Sequence, residues 1–245
     1  MFIRCAPSET KSYSWAPTLS VILMLLITGC GRSGTHYTAR LLQEMGLDVP
    51  HERVGKDGAA SWKHIVSGTF VYIGKGREAE IDSSGFDRIL HQVRHPLKVI
   101  ASMQTFSDST WSYMAQSIDL DLKAKPVKRA MQAWVRWNQL VAAKASWRFQ
   151  IERLAENFSE FCLHAGLPAQ PMPHVPHEAK DSRTARFKPV SWADLLKLDA
   201  ALAEEVRQLA LEYGYEDISL GAFLLGSSKP KGFFSRFFDR NRSVV

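Results

Sequence analysis

Residues 25–36 read LLITGCGRSGTH, an apolar run that ends in a glycine-rich turn. A helix-like spacing of apolar residues follows at once, over about residues 33–45. Glycines let the backbone approach an anion, and the first amides of the following helix point toward it with the positive end of the helix dipole. The stretch therefore predicts a buried strand, a phosphate-binding loop and a helix N-terminus in direct succession.

The loop departs from the nucleoside-triphosphate-binding pattern just after its last glycine. Its spacing, Gly29-x-x-x-x-Gly34, matches the start of a Walker-type loop. Thr35 and His36 then stand where an NTPase has Lys followed by Ser or Thr, the residues that reach the γ-phosphate and hold magnesium. We therefore expect a phosphate-binding loop whose ligand is not a metal-bound nucleoside triphosphate, and no metal site.

The rest of the chain alternates strand-like apolar runs with helix-like periodicity. Strands are predicted over residues 19–28, 47–52, 88–94 and 147–154, while residues 70–73 fit either a strand or a loop. Helices are predicted over residues 33–45, 61–66, 96–106, 127–145, 192–198 and 199–212, with another that ends near residue 165. This alternation predicts an α/β fold with a P-loop-type parallel sheet and helices on both of its faces.

Length and composition favour a single domain. The chain has 245 residues, of which 45% are hydrophobic, enough for one α/β domain with a substantial core. We predict an N-terminal tail over residues 1–17, the α/β domain over 18–220 and a basic aromatic tail over 221–245.

Net charge argues against a nucleic-acid-binding body. The segment from Lys229 to Arg242 holds five basic residues and one acid, and so carries four of the six net positive charges. The remaining body is nearly neutral, which is compatible with a small anionic ligand bound by a few arginines.

Cysteine usage and hydropathy favour a cytoplasmic protein. Cys5, Cys30 and Cys162 lack the spacing of a metal site or of a disulfide framework, which suits a reducing compartment. The apolar run at residues 21–27 is far too short to span a membrane. Residues 27–30 also fit the cleavage box of a lipoprotein signal, but cleavage there would split the phosphate loop, so we interpret the run as a strand.

Polar side chains follow three of the predicted strands. They are the loop at residues 29–35, the pair His51 and Glu52, and Arg94. Ligands of open parallel sheets bind at the carboxyl ends of the strands, so we expect these groups to meet at one edge.

Together these motifs, over about residues 19–165, resemble the sulfotransferases that use 3′-phosphoadenosine-5′-phosphosulfate (PAPS). The phosphosulfate loop of that family reads Gly-x-x-Arg-Ser-Gly-Thr-Thr, and here residues 29–36 read GCGRSGTH. The family's 3′-phosphate element is a strand that ends in Arg with Ser eight residues later, as Arg94 and Ser102 do here. The resemblance implies that the cofactor-binding residues are Gly31, Arg32, Ser33, Gly34, Thr35, Arg94 and Ser102.

The resemblance also implies a reaction. The sulfuryl group would pass by in-line displacement, without a metal, to a hydroxyl or amine of a small-molecule, carbohydrate or lipid acceptor, and the 3′,5′-bisphosphate (PAP) would leave. Arg32 would stabilise the charge on the leaving oxygen. Similar enzymes place a catalytic Glu at about the spacing of Glu52, and other branches use His, so His51 is the rival base. In a strand the two side chains would point to opposite faces, so only one should face the sulfuryl group.

Two other function classes stay open at this point. One is a P-loop kinase-like phosphotransferase or nucleotide-binding protein, which a magnesium requirement would favour. The other is a membrane-peripheral protein that uses the segment Phe233–Phe238, where phenylalanines flank an arginine.

Arg183, Arg186 and Lys188 are candidates to close over a nucleotide.

Overall fold

The computed structural model describes residues 24–66, 69–72, 78–81, 83–176 and 187–216. The strands are β1 (Leu25–Thr28), β2 (Gly58–Ala60), β3 (Thr69–Tyr72), β4 (Glu78–Ile81), β5 (Arg88–Val93) and β6 (Trp147–Gln150). The helices are α1 (Thr35–Glu44), α2 (Pro96–Met103), α3 (Asp108–Ala115), α4 (Pro126–Ala142), α5 (Phe158–Ala165), α6 (Trp192–Leu198) and α7 (Ala200–Glu212), with short 3₁₀ turns at Ser83–Gly85 and Ile151–Arg153.

Some sequence predictions lie outside these residues. They are the tail at 1–17, the first part of the first strand at 19–23, the basic residues Arg183 and Arg186, and the C-terminal tail at 221–245. The domain boundaries at residues 18 and 220 therefore stay predictions.

The central sheet has four parallel strands in the order β2-β1-β5-β6. β1 pairs with β2 on one side and with β5 on the other, so the strand order reverses at β1. Such a reversal opens a crevice at the carboxyl end of the sheet, where ligands of this architecture bind. The predicted α/β fold with a parallel sheet is confirmed.

Helices cover both faces of the sheet, as alternation along a strand requires. Leu25 and Ile27 of β1 point into one apolar core, to which α1 and α5 contribute. Leu26, between them, points into the other core, formed with α2, α4, α6 and α7. All four residues of β1 are buried, so the strand is covered on both sides.

The long helix α4 packs as its sequence pattern predicts. The four residues expected to face inward, Ala130, Trp134, Trp137 and Val141, are fully buried. The two tryptophans are therefore core residues. Ser191 caps the N-terminus of α6 as predicted, and it forms a reciprocal capping box with Asp194.

The predicted strand at residues 47–52 is not formed. These residues make only a single bridge, from His51 to Ala60. The strand that pairs with β1 on this side is β2, just after them, because Gly58 lets the chain press against β1: a Cβ there would collide with the carbonyl of Leu25. Glu52 ends the extended run with a left-handed φ of 57°.

Three further local differences lie nearby. Residues 61–66 form turns where a helix was expected. Within the ambiguous stretch at 70–73, residues 70–72 belong to the strand β3, which pairs antiparallel with β4. The helix α3 lies where neither a helix nor a strand was predicted, and Ser107 caps its N-terminus through the amide of Thr110.

Among the helices of the described ranges, none is both long and apolar enough to span a bilayer.

Candidate functional site

The glycine-rich loop lies between β1 and α1, at the point where the strand order reverses. Arg32 and Gly34 both adopt left-handed backbone conformations, with φ of 72° and 99°. Gly29 sits so close to the next strand that a Cβ would collide with the carbonyl oxygen of Gln92. The loop therefore needs its first glycine for close packing and its last for a turn.

Hydrogen bonds within and below the loop set the direction of its amides. The N–H of Ser33 donates to the carbonyl of Cys30 over 3.0 Å. Because C=O and N–H point in opposite directions across a trans peptide, the N–H of Gly31 is directed away from that bond. No described side chain caps α1, and its first turn holds no acidic residue. These are the features of an anion-binding helix N-terminus.

Ser33 adds an independent sign of a ligand. The residue is 1% exposed, and within the described part of the chain its hydroxyl has no hydrogen-bond partner. A buried polar group without a partner costs about 1–3 kcal/mol. This hydroxyl would donate a hydrogen bond to a phosphate or sulfate oxygen that reached it.

Two residues that sequence reasoning missed hold the side chain of Arg32. Its Nη2 donates to the hydroxyl of Thr105 over 3.0 Å, and its guanidinium lies 4.8 Å from the ring centroid of Phe106. Thr105 in turn donates to the carbonyl of Ser102 over 2.9 Å. The guanidinium is thus held at the loop by a hydrogen bond and a cation–π contact.

The structure joins Arg94 and Ser102 to this loop. Arg94 follows β5, and its Nη1 donates to the backbone carbonyl of Arg32 over 3.1 Å. Ser102 is 8% exposed near the end of α2, and its backbone carbonyl accepts the Thr105 hydroxyl that contacts Arg32. The residues expected to bind the two ends of a nucleotide therefore belong to one connected cluster.

Glu152 fixes the position of α2. One carboxylate oxygen accepts the backbone N–H of His95 over 3.1 Å and lies 3.6 Å from Nζ of Lys98. The other accepts the hydroxyl of Tyr215 over 3.1 Å. The carboxylate thus ties the end of β6, the start of α2 and the chain after α7 together, directly beside Arg94.

The candidate bases lie beside the loop, on the β2 side. Nε2 of His51 is 3.2 Å from the hydroxyl of Thr35 and 3.8 Å from Oε1 of Glu52. The expectation that His51 and Glu52 point to opposite faces is therefore wrong. The pair makes only a single bridge, and the left-handed backbone of Glu52 brings its carboxylate to the imidazole.

Lys63 is the charged partner of Glu52. Its Nζ lies 2.8 Å from Oε2 of that carboxylate, and the lysine side chain is 42% exposed. An ion pair of this exposure adds little stability, about 0–1 kcal/mol. Its importance is local, because it sets an ammonium group and a carboxylate next to each other at the rim of the loop.

Two buried histidines lie behind the site. His64, next to Lys63, and His91 of β5 are each 1% exposed, and burial lowers the pKa of both to about 4. His91 is 3.0 Å from Oδ1 of Asn138, whose amide nitrogen donates to a backbone carbonyl, so Nε2 of the imidazole is the donor. Both histidines are therefore neutral at pH 7.

Comparisons of this chain with protein-family models, with curated proteins and with solved structures find no match. What the site does must therefore be inferred from its own residues. They form a glycine-rich loop at a helix N-terminus, two arginines joined there by a hydrogen bond from Arg94 to the Arg32 carbonyl, and a carboxylate–imidazole pair beside them.

Proposed function

We propose that this chain is a PAPS-dependent sulfotransferase. The observation that carries the proposal is the meeting of Arg32 and Arg94 at one anion-binding loop, through the hydrogen bond from Arg94 to the Arg32 carbonyl. PAPS has two separate anionic ends, and each needs charge-assisted donors of its own. A loop with one arginine and a neighbouring strand end with another can meet that need.

In this proposal the loop binds the phosphosulfate end. The amides of Gly31 and Gly34, the buried hydroxyl of Ser33 and the hydroxyl of Thr35 are the donors. Arg94 and Ser102 bind the 3′-phosphate. The hydroxyl of Ser33, which has no partner among the described residues, supports an anionic ligand at this place.

The reaction is a displacement at sulfur. A hydroxyl or amine of the acceptor attacks the sulfur atom, the bond from sulfur to the bridging oxygen breaks, and PAP leaves with the electron pair. Negative charge grows on the bridging oxygen as the bond breaks. The guanidinium of Arg32, already held by Thr105 and Phe106, stabilises that charge.

The acceptor loses a proton, which a base beside the loop must take. Glu52 is the proposed base: its Oε1 lies 3.8 Å from Nε2 of His51, and its Oε2 pairs with Lys63. His51 contacts Thr35 through Nε2 and is the second candidate. The acceptor class, a small molecule, a carbohydrate or a lipid, and a cytoplasmic location belong to the same proposal.

Calorimetry tests the cofactor. PAP and ATP are titrated into the purified chain, each with magnesium and each with EDTA. The proposal predicts that PAP binds more tightly than ATP and that EDTA leaves its affinity unchanged. Magnesium-dependent binding of ATP in preference to PAP would instead support a kinase-like phosphotransferase.

Liposome co-sedimentation tests the membrane alternative. Chains with and without residues 227–245 are compared on anionic and on neutral vesicles. A membrane-peripheral role predicts binding to anionic vesicles that the truncation removes, whereas equal sedimentation of the two chains contradicts it.

A further inference from the structure

Gln92 is a fully buried polar residue in the strand directly below the phosphate loop. Its Nε2 donates to the carbonyl of Ser33 over 2.8 Å, and its Oε1 accepts the hydroxyl of Thr38 over 2.7 Å. A ligand above the loop cannot touch a side chain buried below it. Any effect of Gln92 on a ligand must therefore act through the loop backbone.

We propose that Gln92 is a positioning residue that aims the amide of Gly34 at the bound anion. This inference rests on the proposed function, and it adds to it the group that orients the loop. The carbonyl of Ser33 points down to the Gln92 amide. In a trans peptide the following N–H points the opposite way, so the N–H of Gly34 is directed up, away from the sheet.

The alternative peptide orientation would oppose binding. If the peptide between Ser33 and Gly34 rotated, the carbonyl oxygen of Ser33 would face the anion and the N–H would face the sheet. The anion site would then hold the partially negative carbonyl oxygen of Ser33 in place of the N–H donor of Gly34. Gly34 has no side chain to resist such a rotation, so a hydrogen bond from below has to hold the peptide.

The amide of Gln92 must turn its nitrogen, and not its oxygen, toward the carbonyl of Ser33. The opposite orientation of the Gln92 amide would place its oxygen against the carbonyl oxygen of Ser33, two acceptors with no proton between them. In the observed orientation Thr38 donates to the Gln92 oxygen, which leaves the nitrogen for Ser33. Each of these three polar groups therefore has a complementary partner.

Arg94 holds the preceding carbonyl of the loop in the same way. It donates to the carbonyl of Arg32, and Gln92 donates to the carbonyl of Ser33. Side chains two residues apart on a strand project to the same side, so this end of β5 can hold two successive carbonyls of the loop. Arg94 is charged and has donors left for a ligand, whereas Gln92 is neutral and buried and serves the loop alone.

Two matched variants separate positioning from packing. Gln92→Met keeps the length of the side chain but removes the donor to Ser33. Thr38→Val removes the other hydrogen bond of Gln92 and leaves the bond to Ser33 in place. Calorimetry with PAP and with AMP, which share the 5′-phosphate, reports on the loop, and thermal unfolding checks that both variants fold.

We expect Gln92→Met to weaken the binding of PAP and of AMP by a similar factor of about tenfold or more. The rotated peptide would no longer offer the N–H of Gly34 to the anion, and a hydrogen bond to a charged group contributes about that much. Thr38→Val should bind both ligands within about threefold of the unchanged chain, since the Ser33 contact survives. Equal losses in the two variants, or unchanged binding in Gln92→Met, would overturn the positioning role.

A crystal structure of Gln92→Met keeps the inference testable if the unchanged chain binds no PAP. That failure would refute the sulfotransferase proposal but leave the orientation of the loop peptide to be measured. The positioning role predicts a rotated peptide between Ser33 and Gly34 in the variant. A Ser33 carbonyl that still points down to residue 92 would overturn it.

Discussion

The two sides of the site are held by different kinds of interaction. On the β5 side, the loop is fixed from below by the buried amide of Gln92 and by Arg94, both bonded to backbone carbonyls. On the β2 side, the carboxylate of Glu52 is held by an ion pair to Lys63, which is 42% exposed. Buried hydrogen bonds fix a backbone in one geometry, whereas an exposed ion pair is weak and screened by salt.

The difference suggests a division of labour. The side proposed to bind the nucleotide is built into the core of the sheet. The side proposed to receive the acceptor and its proton is at the rim, where His51 and Glu52 have partly exposed side chains. Changes on the first side should therefore affect nucleotide affinity, and changes on the second should affect turnover.

The largest effect is expected at Glu52. Glu52→Gln keeps the shape of the side chain but removes the proton acceptor, and a general base contributes roughly a hundred- to ten-thousandfold to the rate. Turnover should fall by that order while calorimetry shows normal binding of PAP. His51→Asn is the matched variant and should be milder; the opposite ranking would assign the base to His51.

Arg32 should show the next largest effect. Arg32→Ala removes the charge that stabilises the leaving oxygen, so turnover should fall by roughly a hundredfold or more, with a smaller loss of PAP affinity. Arg32→Lys should keep part of the activity, because an ammonium still reaches the oxygen. Steady-state kinetics with saturating PAPS measures the split, and full activity of Arg32→Ala would remove the residue from the mechanism.

Arg94 should affect binding rather than chemistry. Arg94→Ala should weaken the binding of PAP by roughly tenfold or more, because a charge-assisted contact is lost. AMP lacks the 3′-phosphate and should lose less. The hydrogen bond from Arg94 to the Arg32 carbonyl predicts that AMP also loses some affinity. Equal losses for the two nucleotides in calorimetry would show that Arg94 serves only the loop.

The last effect concerns stability rather than function, and it comes from the buried histidines. The pKa values of His64 and His91 lie near 4 in the folded chain, below the ordinary value of 6.5. Below pH 6.5 the unfolded chain therefore binds protons that the folded chain does not, and stability is lost as the pH falls from 6.5 toward 4. Each histidine contributes a slope of at most about 1.4 kcal/mol per pH unit in this window.

Urea unfolding at pH 7.5, 6 and 5 measures this loss. His91→Gln keeps a side chain that can donate to Asn138 but removes the titration. The variant should show a shallower pH dependence than the unchanged chain, whatever its stability at pH 7.5. An unchanged slope would mean that His91 does not titrate as its burial predicts.

The sequence reveals the β5 side of the site better than the β2 side, and the reason is physical. The loop, the strand end at Arg94 and the start of α2 at Pro96 are local patterns of glycine, strand and proline. The position of strand β2 beside β1 depends instead on a contact between residues far apart in the sequence. Only a residue without a Cβ, such as Gly58, can approach the backbone of Leu25 this closely. The sequence pattern at residues 47–52 carries no information about the contact between Gly58 and Leu25.

The residues that sequence reasoning missed all act over long separations. Gln92 lies 59 positions from Ser33, and Thr105 lies 73 from Arg32. One signal did exist: Gln92 is a polar residue inside a predicted strand of the sheet, and a polar side chain in a buried strand needs a partner. The sequence alone does not say that this partner is the phosphate loop.

A crystal structure of the chain with PAP is the most direct test of the central claim. The sulfotransferase proposal predicts the 5′-phosphate within hydrogen-bond distance of the Gly34 amide and of Arg32, and the 3′-phosphate on Arg94 and Ser102. PAP bound away from the loop, or bound at the loop with its 3′-phosphate in solvent, would contradict it.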